Sequence, residues 1–213
     1  MLVRPATPQD LPALTEIQNA LLDTTTYEWT EVPHTLDERA AWLDAQRAAG
    51  HPVFVAVDDG TDTSDTTSND GSIGGHHRVI GWAAYGDFRD STRWPGYRFT
   101  VEHTVHVAPG RWGRGVGRAL LDALVDHARA AGKRVMVAGI DGGNVRSILF
   151  HARLGFHEVA RMPGIGDKWG ERLDLVLMQR EIEHPASRQQ VGRRDRPEGD
   201  YPAPSTSAAS TMS

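Results

Sequence analysis

The stretch Pro109-Gly110-Arg111-Trp112-Gly113-Arg114-Gly115-Val116-Gly117-Arg118 sets three glycines in alternation with Arg114 and Val116, between a strand-like run and a helix-like run. Glycine lets backbone N–H groups approach a ligand closely, and a helix N-terminus concentrates unpaired donors and partial positive charge, so such a turn suits a pyrophosphate. Arg111, Arg114 and Arg118 add cations around it. A Walker A loop needs Gly-Lys-Ser/Thr at the helix start, but Gly115 is followed by Val116-Gly117. A dinucleotide fingerprint G-x-G-x-x-G could begin at Gly113, but Arg118 stands at its third glycine and the turn lies past the chain's midpoint, which makes nicotinamide or flavin binding a poor fit. A turn that merely reverses the chain is the other reading the pattern allows.

The flanking sequence punctuates well. Leu2 to Arg4 reads as a strand, and Thr7-Pro8-Gln9-Asp10 as a helix start followed by Leu11, Leu14, Ile17 and Leu21 at helical spacing. Thr35-Leu36-Asp37-Glu38 is a capping box for a helix ending at Gly50. Val53 to Val57, Val79 to Tyr85 and Arg98 to Val107 are rich in β-branched and aromatic residues and read as strands. After the glycine turn, a helix closes at Gly132. It is followed by a strand over Val135 to Ile140, a helix from Asn144 to Leu154, and strands over Phe156 to Arg161 and Leu173 to Gln179. The order β, α, α, β, β, β, α, β, α, β, β predicts an α/β fold: a mixed twisted sheet of seven strands with four helices in the connections.

The chain has 213 residues, a formal net charge of −5 and no cysteine. Residues 58–78 hold five Asp and one Arg, and 184–213 hold four Arg against two Asp and one Glu. The first is read as a disordered acidic loop and the second as a disordered tail, leaving one domain over residues 1–183. The remainder carries only −2, with no electrostatic signature of a nucleic-acid or membrane partner. No apolar run approaches the roughly 20 residues of a membrane helix and the N-terminus has no signal-peptide core, so a cytoplasmic protein is expected. Without cysteine, disulfides, zinc–thiolate sites and thiol acyl-enzymes are excluded. His103 and His106 are three apart on a strand, face opposite sides and cannot chelate one ion, so no metal is expected.

The turn with Ala119-Leu120-Leu121 resembles the acetyl-CoA pyrophosphate motif of the GNAT acetyltransferase superfamily, R/Q-x-x-G-x-G/A, with Trp112 at the place of the Arg or Gln. The run Asn144-x-x-Ser147-x-x-x-His151-x-x-x-Gly155-Phe156 resembles that superfamily's second motif. Thr100 to Val107, Met136 to Asp141 and Leu173 to Gln179 are similar to the phosphinothricin or methionine sulfoximine N-acetyltransferase family. The resemblance implies a GNAT fold with acetyl-CoA as co-substrate and a small amino-acid-like amine as acceptor. It also implies a resistance activity and a homodimer.

On the resemblance, Glu102, His103 and Thr104 contact the acceptor, Val105, His106 and Val107 offer backbone groups to the pantetheine arm, and Gly113, Arg114, Gly115, Val116, Gly117 and Arg118 hold the pyrophosphate. Asn144 and Arg153 contact the rest of coenzyme A. Arg89, Arg93, Tyr97 and Arg98 form the substrate segment, with guanidinium forks for the acceptor's anionic groups. Tyr27, Glu28 and Trp29 match the segment that closes over the acceptor, and a core role for these aromatics is equally open. His151 stands where many members carry a Tyr that protonates the leaving thiolate.

Acetyl transfer needs a proton acceptor for the amine and a donor for the developing oxyanion. Period two puts Arg98, Thr100, Glu102, Thr104 and His106 on one strand face. Spacing alone leaves Glu102 either as a base with a raised pKa or as a salt-bridge partner of Arg98 or another cation. The resemblance favours the base, acting directly or through a water. The same fold acetylating a peptide N-terminus or a polyamine, and a non-catalytic acyl-CoA-binding module, are the alternatives. A serine triad lacks its G-x-S-x-G.

Overall fold

The elements follow the expected order: β1 (Leu2–Pro5), α1 (Leu11–Asn19), α2 (Leu36–Ala48), β2 (Val53–Val57), β3 (Val79–Asp87), β4 (Thr100–Val107), α3 (Val116–Ala130), β5 (Val135–Asp141), α4 (Val145–Arg153), β6 (His157–Lys168) and β7 (Glu171–Glu181). The computed structural model describes residues 1–58 and 78–183. Apart from its end residues Asp58 and Arg78, the expected acidic loop lies outside the described residues, as does the whole expected tail.

The seven strands form one sheet in the order β1-β2-β3-β4-β5-β7-β6, antiparallel throughout except for the parallel pair β4 and β5. Period two sends Val55, Trp82 and Ala84 to one side, where Leu11, Leu14 and Ile17 of α1 and Leu43 of α2 cover them. Val101, Met136, Ala138 and Ile140 face the other side, under Leu120, Leu121 and Leu124 of α3 and Leu154 at the end of α4. Helices α1 and α3 each bury an apolar stripe, and Leu43 of α2 and Leu154 after α4 add to it, so the sheet is covered on both faces.

The chain's start is fixed by a buried carboxylate. Asp10 accepts from Arg4 through both oxygens at 2.7 and 2.8 Å, and from the Thr7 N–H and hydroxyl at 2.8 and 2.9 Å. Burial by itself would raise its pKa, but the Arg4 and Thr7 bonds more than offset this and hold it below the ordinary value. A lowered folded-state pKa gives stability that is present above the unfolded value of 3.8 and lost as pH falls through the folded one. Asp10→Ala is expected to cost about 2 kcal/mol at neutral pH, read from the urea midpoint at unchanged m, with the deficit shrinking towards acid.

The last two strands run further than expected. Pro163, Gly164 and Gly166 break the alternating pattern, yet β6 continues through a register shift between Met162 and Gly166 to Lys168. An edge strand tolerates such a bulge and a proline because one side of its ladder is unpaired. The hairpin turns at Trp169-Gly170, both with positive φ (55° and 76°), as a two-residue type I′ turn requires. Its tip reaches back over the segment that follows α1.

Candidate active site

The parallel ladder between β4 and β5 covers only Thr100, Val101 and Glu102 against Val135, Met136 and Val137. Beyond it, β4 stays with β3 as far as Val107 opposite Gly81, while β5 stays with β7 as far as Asp141 opposite Leu175. The sheet therefore opens as a V. A cleft of about 750 Å³ occupies this split, lined by β4 from His103 to Val107, β5 from Ala138 to Asp141, the glycine turn, and one face of α4.

The hydrogen-bond phase of β4 determines what it shows to the cleft. Ala108 N–H donates to Ile80 at 3.0 Å and Phe88 N–H to Thr100 at 3.2 Å, in the same register that pairs His106 with Trp82. Even-numbered residues of β4 thus spend their main-chain groups on β3, and odd-numbered ones point the other way. Past Glu102 there is no facing strand, so the main-chain groups of His103, Val105 and Val107 open into the split. This corrects the expectation for His106, whose backbone is committed to β3. The Val107 carbonyl accepts from the Trp112 indole N–H at 2.9 Å, so Trp112 braces the turn where a polar side chain was looked for.

The turn itself has the geometry its glycines suggest. Gly113 and Gly115 hold φ of 77° and 83°, in the left-handed region, and Gly115 is the N-cap of α3. Successive N–H groups at a helix start with no side chain in the way form an anion cradle. Gly113, Gly115, Val116, Gly117 and Arg118 line the cleft. Arg111 is held by Asp58 at 3.0 Å, and Arg118 lies 3.8 Å from Asp122 on the helix surface. Asn144 and Arg153 border the same cleft; Asn144 caps α4 by accepting from the Ser147 N–H at 3.0 Å. The β4 edge from His103 to Val107 followed by this cradle fits an extended arm ending in a pyrophosphate.

Glu102 lies on the α1 side of β4, half-buried, and its Oε1 is so close to Gly139 that a Cβ added there would stand 3.1 Å from it. Glu102 is not itself among the residues that line the cleft; its carboxylate sits beside Gly139, which is, and desolvation raises its pKa, with the Arg89 charge opposing the rise. Arg98 does not pair with it: the guanidinium donates to the Pro95 carbonyl at 2.8 Å and lies 4.3 Å from the Phe99 ring. Arg93 stacks on Trp94, and Tyr97 packs against Phe88. Arg89, Arg93, Tyr97 and Arg98 are exposed, and none of them is among the residues that line the cleft. Of the cations expected near the acceptor, Arg89 is the one that acts on Glu102.

On the opposite face of β4, the rings of His103 and His151 are 5.1 Å apart, both buried and both at the cleft. His151 Nδ1 is 2.7 Å from the Ser147 carbonyl, and a carbonyl only accepts, so this nitrogen carries the proton. In the neutral ring Nε2 is then a bare lone pair. Burial pushes both histidines below their ordinary pKa, His103 further, with the neighbouring His151 adding to its fall. Neutral His151 has no proton to give through Nε2, at odds with the role of general acid. Its Nε2 and both His103 ring nitrogens have no partner among the described residues, which leaves three buried polar atoms for a ligand to satisfy.

Three features of the site had no local signal in the sequence. His106 Nε2 stands 3.0 Å from Glu28 Oε1, and although burial would raise the Glu28 pKa, His106 and Gln18 hold it low. The Thr26 hydroxyl donates to Asp141. Buried Lys168 reaches the segment after α1. Together these hold Tyr27 and Glu28 against the cleft, while Trp29 packs on Gly166. No group of metal-ligating side chains and no helix long and apolar enough to cross a membrane occurs among the described residues.

A family model described as the acetyltransferase (GNAT) family matches residues 14–156. An L-methionine sulfoximine/L-methionine sulfone acetyltransferase of Salmonella typhimurium is 39% identical over 187 residues, covering 88% of this chain and 98% of its own. An L-amino acid N-acyltransferase of Escherichia coli is 38% identical, over 90% of this chain and 100% of its own. Among solved structures, a phosphinothricin acetyltransferase of Sinorhizobium meliloti in complex with acetyl-CoA superposes with a TM-score of 0.74 at 32% identity, over 94% and 95% of the two chains.

Proposed function

The chain belongs to the acetyltransferase (GNAT) family, and from that premise we propose that it moves the acetyl group of acetyl-CoA to the amine of a small amino-acid-like acceptor of the methionine sulfoximine, methionine sulfone or phosphinothricin type. The carrying observation is the course of β4 past its parallel ladder. The open edge of β4 leads at one end to the glycine cradle of α3 and at the other to the half-buried carboxylate of Glu102.

On this reading Val105 binds the pantetheine arm through its main-chain groups and Val107 through its N–H, and the turn holds the pyrophosphate. An odd-numbered N–H of β4 is positioned to stabilise the oxyanion. Glu102 takes the amine proton, directly or through a water, and the elevated pKa suits a base working near neutrality. With no cysteine to carry the acetyl group, the amine attacks the thioester carbonyl directly in a ternary complex; the C–N bond forms, the C–S bond breaks, and coenzyme A leaves as a thiolate that takes its proton from solvent. Tyr27, Glu28 and Thr104 form the acceptor's side of the cleft. Resistance to such a compound and a homodimer belong to the same reading and rest on the family resemblance; a cytoplasmic location is part of the proposal.

His151 serves as a hydrogen-bond acceptor towards the reacting groups, not as the acid. His151→Gln is accordingly expected to lower kcat by less than about tenfold, whereas losing an essential acid would cost about 10²–10⁴-fold. Steady-state kinetics with saturating acetyl-CoA reads the difference. The acceptor class is tested by comparing kcat/KM for L-methionine sulfone, L-methionine sulfoximine, phosphinothricin, a polyamine and an N-terminal peptide. The small zwitterions should lead by at least tenfold; a peptide or polyamine in front would replace this assignment.

A further inference from the structure

The segment from Ala20 to Thr35 contains no helix or strand, yet it forms one wall of the cleft. An irregular segment beside a buried site needs partners for its carbonyls. Lys168, 1% exposed at the end of β6, supplies them: its Nζ donates to the carbonyls of Leu22, Thr25 and Glu28 at 2.7, 2.8 and 2.9 Å. Three acceptors use all three protons of an ammonium, which is how a buried charge of this kind is sustained.

The rest of the hairpin tip grips the same segment. Gly166 lies so close to Trp29 that a methyl group there would stand 2.5 Å from the ring, and the Trp169 N–H donates to Glu31 at 3.2 Å. The residues clamped between these points are those that face the cleft. Tyr27 lines it, Thr26 bonds Asp141, and Glu28 reaches His106, two residues along the same face of β4 from Thr104.

We propose that Lys168 is a positioning residue for the acceptor: it touches no reactant, and by fixing three carbonyls of the 22–28 segment it sets where Tyr27 and Glu28 stand against the bound amine. The inference rests on the reading that the α1 side of the cleft takes the acceptor. Lys168 is outside the cleft's lining and bonds the 22–28 segment, not the glycine turn, so acetyl-CoA binding should not depend on it.

The test uses Lys168→Met in the full chain. The KM for L-methionine sulfone should rise about tenfold or more, as expected for losing charge-assisted hydrogen bonds, while the acetyl-CoA Kd stays within about twofold. Hydrogen exchange should accelerate in peptides spanning 22–31. The absence of cysteine allows a clean restoration: Lys168→Cys, alkylated in denaturant with 2-bromoethylamine and refolded, returns an ammonium of similar reach and should recover the acceptor KM. An unchanged acceptor KM overturns the proposal, as does a parallel loss of acetyl-CoA binding, which marks a general structural role. Failure of the unmodified protein to acetylate any acceptor removes the functional reading instead, and the acceptor role of Lys168 with it.

Discussion

Glu102→Gln should lower kcat by about 10²–10⁴-fold with the acetyl-CoA Kd unchanged, since a positioned general base contributes on that scale and the amide keeps the shape without the proton affinity. The same substitution should raise the melting temperature. Burial lifts the Glu102 pKa above its ordinary 4.5, so keeping the carboxylate ionised costs stability. For a carboxylate whose folded pKa is raised, stability is greatest at low pH and declines as pH climbs through the unfolded value. A salt-bridge role would give the opposite sign, a protein less stable without the charge. In the unaltered enzyme the acidic limb of kcat/KM should sit above pH 4.5, with activity lost as pH falls through it. Arg89→Gln should move that limb higher still, because Arg89 opposes the rise.

Gly115→Val should raise the Kd for acetyl-CoA by about 10–100-fold, the scale of one or two charge-assisted hydrogen bonds to phosphate. A β-branched residue does not adopt the φ of 83° found there without strain, and the first N–H groups of α3 would be re-aimed. S-acetyl-pantetheine, which lacks the pyrophosphate, provides the control. Its binding should be unaffected by the substitution, and an equal loss with both thioesters would mean that this turn does not hold the phosphates. Trp112, already bonded to the Val107 carbonyl, offers no side-chain donor to replace the lost backbone groups.

Much of the fold was legible because its signals are local. The alternation in Thr100 to Val107 correctly separated Glu102, Thr104 and His106 from Val101, His103 and Val105, and the capping box at Thr35 and Glu38 is present as reciprocal bonds of 3.2 and 2.9 Å. The glycine spacing found the start of α3. What escaped depends on contacts across long stretches of chain. Lys168 is separated from its carbonyl partners by 140 to 146 residues, and nothing around it marks a lysine destined for burial. The hairpin carrying it was read short because Pro163, Gly164 and Gly166 look like a break and act as a bulge. Of the arginines before Glu102, Arg89 acts on its carboxylate while Arg98 bonds the Pro95 carbonyl, a matter of loop geometry that residue type does not encode. The backbone phase that turns His106 towards β3 and Val105 towards the cleft follows from strand pairing, which a single strand's sequence does not specify.

The most direct measurement is the release of free coenzyme A thiol from acetyl-CoA, with and without L-methionine sulfone, paired with mass spectrometry of the amino acid. The account predicts thiol release that requires the acceptor, one equivalent of N-acetylated product for each thiol, and no acetylated protein at any time. Acceptor-independent release, an acetyl group on the chain, or no binding of acetyl-CoA would contradict it.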